Sequence, residues 1–283
     1  MSYHELWRLL AQVYDEGEAK ALARMVYEVR YGLSLADIYS GKDTQLSADS
    51  QTELTEISQR LLQQEPIQYI LGEATFCGRT FTVNPSVLIP RSETEELCRW
   101  IVSEESHLTG GQSPCEVLDI GTGSGCIAIT LAAELPGAHV TAWDISAEAL
   151  EVARENAKRT HVHVSFEQVD ILHSPLSTLR PPPSLIVSNP PYICHQEREA
   201  MEANVLQHEP HLALFVPDDD PLLFYRAIAQ YARTALRPGG WLCFEINPLH
   251  ATALRDLLAV MSYHDIETKE DQYGKQRMIR ACK

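Results

Sequence analysis

Short apolar segments alternate with amphipathic helical segments through the second half of the chain, and this alternation limits the possible folds more than any other feature. Strands that alternate with helices form a mostly parallel sheet with helices on both faces. A glycine-separated pair of segments at the end of the chain is predicted to add an antiparallel hairpin. We therefore predict an α/β fold with a doubly wound, mostly parallel seven-stranded sheet. The predicted strands are Glu116–Ile120, His139–Trp143, Val162–Phe166, Ser184–Val187, Trp241–Ile246, His264–Thr268 and Arg277–Ala281.

The first part of the chain follows a different pattern. Its apolar residues recur at helical spacing, as in Leu54, Ile57 and Leu61, which predicts a small helical bundle over residues 1–72. The segment Thr75–Val83 alternates around a Cys-Gly turn and predicts a β-hairpin. We expect residues 73–90 to link the bundle to a second domain at 91–283, whose first helix begins with a capping box at Ser92–Glu95.

Composition narrows the functional classes. The chain has 283 residues, of which 45% are hydrophobic and 22% charged, so it is typical of globular proteins. Its net charge of −16 opposes direct binding of a nucleic-acid backbone. Seven scattered cysteines without a C-x-x-C pair indicate free thiols, and no apolar run is long enough to span a membrane. We expect a cytoplasmic monomer without a metal site, a signal peptide, or nucleic-acid or membrane partners.

A glycine-rich loop follows the first strand of the predicted sheet. Glycines in Gly121–Gly125 would let the backbone approach a nucleotide-type ligand at the carboxyl end of that strand. Asp144 follows the next strand, where a carboxylate can accept hydrogen bonds from ribose hydroxyls, and Asp170 follows the third, near an adenine edge. The alternatives are a tightly packed turn for the loop and a helix N-cap for Asp144, although Ser146 can provide that cap.

The segment Asn189-Pro190-Pro191-Tyr192 follows the fourth strand. Its two prolines remove backbone donors and stiffen the turn, so the turn can direct carbonyl groups outward. The Asn189 side-chain oxygen and the Pro190 carbonyl can accept hydrogen bonds from an amide or exocyclic amine, orient its nitrogen and stabilise developing positive charge. Tyr192 can offer a flat face to a planar group. The structural alternative is a proline-rich surface turn.

Together, the glycine loop, Asp144 and the Asn-Pro-Pro-Tyr segment resemble a class I S-adenosylmethionine-dependent methyltransferase with a Rossmann-like fold. More narrowly, the chain resembles the HemK/PrmC family, which methylates the N5 amide of the glutamine in the Gly-Gly-Gln motif of peptide chain release factors. The segments that carry this resemblance are Pro66–Gly72, Leu88–Arg91 with Glu93–Glu95, Glu209-Pro210, and Asp271, Gly274 and Arg277. The chain departs from the family pattern at Ser92, Ile171, His208 and Asn247.

The resemblance implies a role for each matching residue. Asn189 and Pro190 would be catalytic, and Asn189, Pro190, Pro191 and Tyr192 would hold the glutamine. The helical N-terminal domain would bind the release factor. The implied cofactor-binding residues are Gly121, Thr122, Gly123, Ser124, Gly125, Asp144, Asp170, Ile171 and Asn189.

The sequence leaves three alternatives open. A ribosomal-protein glutamine methyltransferase shares the Asn-Pro-Pro-Tyr segment, although Glu93-Thr94-Glu95 favours the release-factor branch. A nucleic-acid amine methyltransferase also carries the tetrapeptide, but the acidic balance and the lack of a Lys/Arg-rich segment oppose it. The third is a binding protein that keeps the fold without catalysis, which the intact motifs oppose.

Overall fold

The computed structural model describes residues 1–104, 115–173 and 179–283. Within these residues the chain divides into two compact units. The first comprises Met1–Glu73 with Glu202–His208, and the second comprises Ala74–Met201 with Glu209–Lys283. No helix in the described ranges is long and apolar enough to cross a membrane. The division into functional domains at 1–72, 73–90 and 91–283 stays a prediction.

The α-helices of the described residues are, in chain order, α1 (Tyr3–Leu10), α2 (Glu16–Met25), α3 (Leu35–Tyr39), α4 (Ala48–Leu62), α5 (Ile67–Leu71), α6 (Ser92–Ser103), α7 (Cys126–Glu134), α8 (Ala147–Arg159), α9 (Ala203–His208), α10 (Leu223–Ala235) and α11 (Ala251–Val260). The strands are β1 (Glu73–Phe76), β2 (Arg79–Thr82), β3 (Glu116–Ile120), β4 (His139–Asp144), β5 (Val164–Gln168), β6 (Leu185–Ser188), β7 (Ile193–Cys194), β8 (Phe215–Val216), β9 (Trp241–Glu245), β10 (His264–Glu270) and β11 (Gln276–Cys282).

The first unit is helical, as the apolar spacing predicts. Its helices bury a common core that includes Leu6, Leu10, Leu54 and Leu61. Ser2 and Glu5 form a capping box at the start of α1 and so satisfy backbone donors that the helix itself leaves unpaired. The buried apolar stripe and the cap together specify where this helix lies and where it begins.

The second unit contains a seven-stranded sheet in the order β10-β11-β9-β6-β3-β4-β5. The five strands from β9 to β5 are parallel, and β11 pairs antiparallel with both β9 and β10. Apolar residues on the two faces form separate clusters, one with helices α6 and α7 and the other with α10 and α11. The prediction of an α/β fold with a mostly parallel seven-stranded sheet, and with a hairpin (β1 and β2) after the helical region, is confirmed.

Two local predictions are wrong. The strand predicted at Val162–Phe166 begins only at Val164, because the Val162 amide still donates to Ala157 in the turn that ends α8. The capping box at Ser92–Glu95 does not form. Arg91 is the N-cap of α6 and makes no side-chain cap, and Glu95 accepts a hydrogen bond from the backbone amide of Cys77 at 2.8 Å. The Glu95 carboxylate that a capping box would have used is therefore hydrogen-bonded to the hairpin.

Candidate active site

The two motif-bearing loops leave neighbouring strands at the same edge of the sheet. β3 and β6 are adjacent and parallel, with Ile120 opposite Ser188. The Ser188 hydroxyl donates to the Ile120 carbonyl at 2.6 Å and joins the two strand ends. The chain adds β4 and β5 on one side of β3 and then returns to place β6 on the other, so this is the switch point where doubly wound sheets bind ligands.

A cavity of about 470 Å³ opens at this switch point. Its size lies within the ~300–1,000 Å³ that is usual for small-molecule sites. Most of the predicted site residues line it, whereas Gly125 and Tyr192 are not among its lining residues. The predicted residues in its wall are Gly121, Thr122, Gly123, Ser124, Asp144, Asp170, Ile171, Asn189, Pro190 and Pro191.

The glycine loop contains glycines in two different surroundings. Gly121 and Gly123 have φ angles of +74° and +54°, and a Cβ atom on either would meet no protein atom within 4 Å. Gly125 has a φ of +80°, but its Cβ would lie 3.0 Å from Ile129 Cδ1 and 3.1 Å from the Cβ of Ala153. The first two glycines therefore leave room in the cavity, whereas Gly125 allows α7 and α8 to pack closely.

Asp144 connects the glycine loop to the end of β4. Its carboxylate oxygens accept hydrogen bonds from the backbone amides of Gly123 at 2.8 Å and Ser146 at 2.9 Å. Burial raises the pKa of Asp144. Each carboxylate oxygen has a second lone pair, so hydroxyl groups of a bound ligand can still donate to it. Ser146 caps α8 by accepting from Ala149 at 3.1 Å, as predicted.

Asp170 lies in the cavity wall beyond β5. It accepts a hydrogen bond from the Leu172 amide at 2.8 Å, and its other oxygen lies 2.8 Å from Nδ1 of His173. The contact with His173 lowers the pKa of Asp170. The side chain is therefore an ionised acceptor at the cavity wall.

Asn189 presents its carboxamide to the cavity in a defined orientation. Its Nδ2 donates to the hydroxyl of Thr94 at 3.2 Å. Among the described residues, none donates to its Oδ1 or to the carbonyl of Pro190. Both oxygens are thus available as acceptors, and the prediction that they hold a substrate amide stays a prediction.

A buried carboxylate lies behind Asn189. Glu245, at the end of β9, is 2% exposed and accepts hydrogen bonds from the hydroxyl of Thr94 and from that of Tyr192, the latter at 3.1 Å. Burial raises the pKa of Glu245, and the two hydroxyl donors oppose this rise. Asn247 donates to the Tyr192 carbonyl at 3.3 Å and so holds the tetrapeptide from the same side.

The sequence pattern gives no role in the site to Thr94 or Glu245, although Thr94 falls in the segment Glu93–Glu95 that carries part of the family resemblance. Their positions in the chain differ by 151 residues, and no local pattern connects them. The flat face that Tyr192 is predicted to offer to the substrate stays a prediction, because Tyr192 does not line the cavity. Its hydroxyl donates to the buried carboxylate of Glu245.

An ion pair joins two segments of the cavity wall. Arg91 contacts Glu209, whose side chain is 1% exposed, and the other oxygen of Glu209 accepts from the Ile89 amide at 3.3 Å. Leu88–Arg91 and Pro210 both line the cavity. This pair therefore fixes the position of one wall relative to another.

Cys194 lies near the tetrapeptide, at the end of β7. Its sulfur lies 3.9 Å from Nε2 of His250. Glu197 completes a group of three possible metal ligands with these two residues. None of the three is among the residues that line the cavity, and the Glu197 carboxylate accepts hydrogen bonds from the Cys194 amide and from Asn247.

Comparison with known families identifies both parts of the chain. Residues 4–72 match the PrmC N-terminal domain, and residues 106–213 match the methyltransferase small domain. Solved structures of low sequence identity support the fold. A methyltransferase from Pyrococcus furiosus has a TM-score of 0.52 at 15% identity and covers 83% of this chain and 98% of that one. The human methyltransferase 10 domain containing protein also scores 0.52, at 17% identity, and covers 72% of this chain and 88% of its own.

Relatives of known name match nearly the whole chain. A release factor glutamine methyltransferase from Bacteroides thetaiotaomicron is 47% identical over 272 residues, which cover 96% of this chain and 95% of the relative. Proteins of the same name are 41% identical in Flavobacterium psychrophilum, over 96% of this chain and 94% of the relative, and 37% identical in Streptococcus pneumoniae, over 95% and 93%. The chain therefore belongs to the release factor glutamine methyltransferase family.

Proposed function

We propose that this protein transfers a methyl group from S-adenosylmethionine to N5 of the glutamine in the Gly-Gly-Gln motif of peptide chain release factors. The observation that carries the proposal is the pair of oxygen acceptors, Asn189 Oδ1 and the Pro190 carbonyl, beside a glycine-lined cavity. A primary carboxamide has two N–H donors on one nitrogen, so it can donate one hydrogen bond to each of two acceptors.

The cavity has the donor and acceptor groups that S-adenosylmethionine requires. Gly121 and Gly123 leave space where any other residue would place a Cβ, and Asp144 has lone pairs available for ribose hydroxyls. Asp170 and Ile171 would border the adenine ring. When bound, S-adenosylmethionine supplies an electrophilic methyl group on a sulfonium centre. Ser124, Thr122 and Gly125 complete the proposed cofactor loop, Gly125 through the packing of its helix.

The chemical problem at the acceptor is a nitrogen whose lone pair is delocalised into the carbonyl group. Hydrogen bonds from its N–H groups to Asn189 and Pro190 would hold the nitrogen in line and become stronger as positive charge develops on it. The nitrogen would gain a bond to the methyl carbon as the carbon–sulfur bond broke, and it would lose one proton to solvent, with S-adenosylhomocysteine as the second product. Pro191 and Tyr192 would shape the glutamine pocket.

The proposed partner is a release factor, and the helical segment 1–72 is proposed to recognise it. This assignment rests on the match of residues 4–72 to the PrmC N-terminal domain. We further propose that the protein acts as a monomer in the cytoplasm, where release factors are found.

Replacing Asn189 by alanine tests the reaction directly. The variant should lose at least about 100-fold in kcat, because it lacks a hydrogen bond that is strongest in the transition state. Its affinity for S-adenosylmethionine, measured by calorimetry, should stay within about threefold of wild type, because Asn189 is only one of the proposed cofactor contacts and the glycine loop and Asp144 are unchanged. Turnover at the wild-type rate would refute the role of Asn189.

A competition assay tests the substrate. The protein is mixed with radiolabelled S-adenosylmethionine, release factor, ribosomal protein and tRNA, and the label is followed into each. We expect label in the release factor, on the Gly-Gly-Gln peptide and at N5 by mass spectrometry. Label in the ribosomal protein or in tRNA would replace the proposed substrate with one of the alternatives, and no label in any of them would refute methyl transfer to these acceptors.

A further inference from the structure

We propose that Thr94 and Glu245 are positioning residues that set the orientation of the Asn189 carboxamide, so that its oxygen and not its nitrogen faces the substrate amide. This inference rests on the proposed function. Thr94 lies in the first turn of α6 and lines the cavity, whereas Glu245 lies behind it at the end of β9. The three side chains form one hydrogen-bonded chain from the core to the cavity.

The orientation follows from counting hydrogens. Glu245 accepts a hydrogen bond on each oxygen, from the hydroxyls of Thr94 and Tyr192, and a carboxylate oxygen that accepts in this way has no hydrogen to return. The single hydroxyl hydrogen of Thr94 is therefore committed to Glu245. The hydroxyl oxygen of Thr94 can then only accept a hydrogen bond from Asn189 through a lone pair, so Asn189 must supply the donor. Asn189 meets this requirement with Nδ2 at 3.2 Å, and Oδ1 is left pointing away.

The opposite orientation would be unfavourable at both ends. With its amide reversed, Asn189 would place Oδ1 against the Thr94 oxygen, where neither atom has a hydrogen to share. It would also present an NH2 group to a substrate nitrogen that itself carries hydrogens. Thr94 and Glu245 are 3% and 2% exposed, so water cannot readily replace the missing partner.

The network also explains why the polar residues are buried at this point. A simple crosslink between α6 and β9 would need only Thr94 and Glu245. The carboxylate instead accepts from two hydroxyl groups, that of Thr94 in α6 and that of Tyr192 in the tetrapeptide itself. Through Thr94 it leaves Asn189 facing an oxygen that can only accept. Loss of this hydrogen-bond network should therefore lower kcat rather than the affinity for S-adenosylmethionine.

Three variants test the proposal. Thr94→Val keeps the shape of the side chain without its hydroxyl, and Thr94→Ser keeps the hydroxyl without the methyl group. Thr130→Val is the matched control, because Thr130 is 1% exposed, lies in α7 outside the cavity lining and makes no hydrogen bond through its hydroxyl within the described residues. For each variant, kcat and KM are measured with a release factor, and the affinity for S-adenosylmethionine is measured by calorimetry.

We expect Thr94→Val to lower kcat by about tenfold or more, with KM and cofactor affinity within about threefold of wild type. Thr94→Ser should recover kcat to within about threefold, and Thr130→Val should stay within about twofold. An unchanged kcat in Thr94→Val would overturn the proposal. So would equal losses in the valine and serine variants, or a loss of cofactor affinity as large as the loss of kcat, because either would indicate a packing role.

A measurement on the wild-type protein covers the case in which Thr94→Val does not fold. In isotope-labelled protein, nuclear Overhauser effects should connect the side-chain NH2 protons of Asn189 to the methyl protons of Thr94. Their absence, with the NH2 signals assigned, would overturn the orientation. If the wild type methylates no release factor, the proposed function fails while this measurement still decides the orientation of the amide.

Discussion

Gly121 and Gly125 are the first and last residues of the same five-residue loop. Replacing Gly121 by alanine should mainly weaken cofactor binding, whereas replacing Gly125 should mainly lower the stability of the fold. Both have positive φ angles, +74° and +80°, so either alanine bears the cost of a left-handed conformation, about 1–2 kcal/mol. The surroundings then separate them. At Gly125 the new Cβ would lie 3.1 Å from the Cβ of Ala153, an atom that cannot move without its helix. Overpacking of this kind adds about 1–3 kcal/mol.

Gly125→Ala should therefore lower the free energy of unfolding by about 2–5 kcal/mol, and Gly121→Ala by only about 1–2 kcal/mol. At Gly121 the added methyl group meets no protein atom within 4 Å and enters the cavity instead. Gly121→Ala should weaken the binding of S-adenosylmethionine by about tenfold or more, which corresponds to about 1.4 kcal/mol.

Urea unfolding measures the first effect and isothermal titration calorimetry the second. Tryptophan fluorescence is a suitable probe because three of the four tryptophans, Trp100, Trp143 and Trp241, lie in the second unit. Equal losses of stability in the two variants would refute the reasoning. So would a Gly121→Ala variant that binds the cofactor as tightly as wild type.

Three further predictions concern buried polar groups. Arg91→Met should lower the free energy of unfolding in urea by about 2–4 kcal/mol, because it leaves the buried Glu209 carboxylate without its partner. Glu209→Gln should lower it by only about 1–2 kcal/mol. The reverse order would contradict the ion-pair assignment. Burial raises the pKa of Asp119 to about 7, above its value in the unfolded chain, so the folded state binds the proton more tightly. The wild type should therefore lose stability relative to Asp119→Asn as the pH rises from about 4 to 8. Parallel stability curves for these two proteins would exclude that explanation. Asn247→Ala should lower the free energy of unfolding in urea by about 1–3 kcal/mol, because it removes the donor to the Tyr192 carbonyl and to Glu197. A variant as stable as wild type would show that these contacts contribute nothing.

The amino-acid sequence by itself determined the features that repeat locally. Alternation of apolar strands and amphipathic helices was sufficient for the parallel sheet, because both periods follow from backbone geometry. The positions of the glycine loop and of the Asn-Pro-Pro-Tyr segment, each directly after a strand, were sufficient to place them at one edge of that sheet. Ser146 was recognised as a helix cap for the same reason, since the hydrogen bond that defines it joins residues three apart.

Only the tertiary structure decided what depends on residues far apart in the chain. Glu95 accepts a hydrogen bond from the hairpin instead of capping α6, and Gly125, which the motif assigns to the cofactor, lies where a Cβ would collide with Ala153. The chain from Glu245 through Thr94 to Asn189 joins elements separated by 95 and 151 positions. Such contacts have no sequence period. They arise when packing removes water and leaves each buried donor and acceptor to be satisfied by whichever partner the fold has brought within reach.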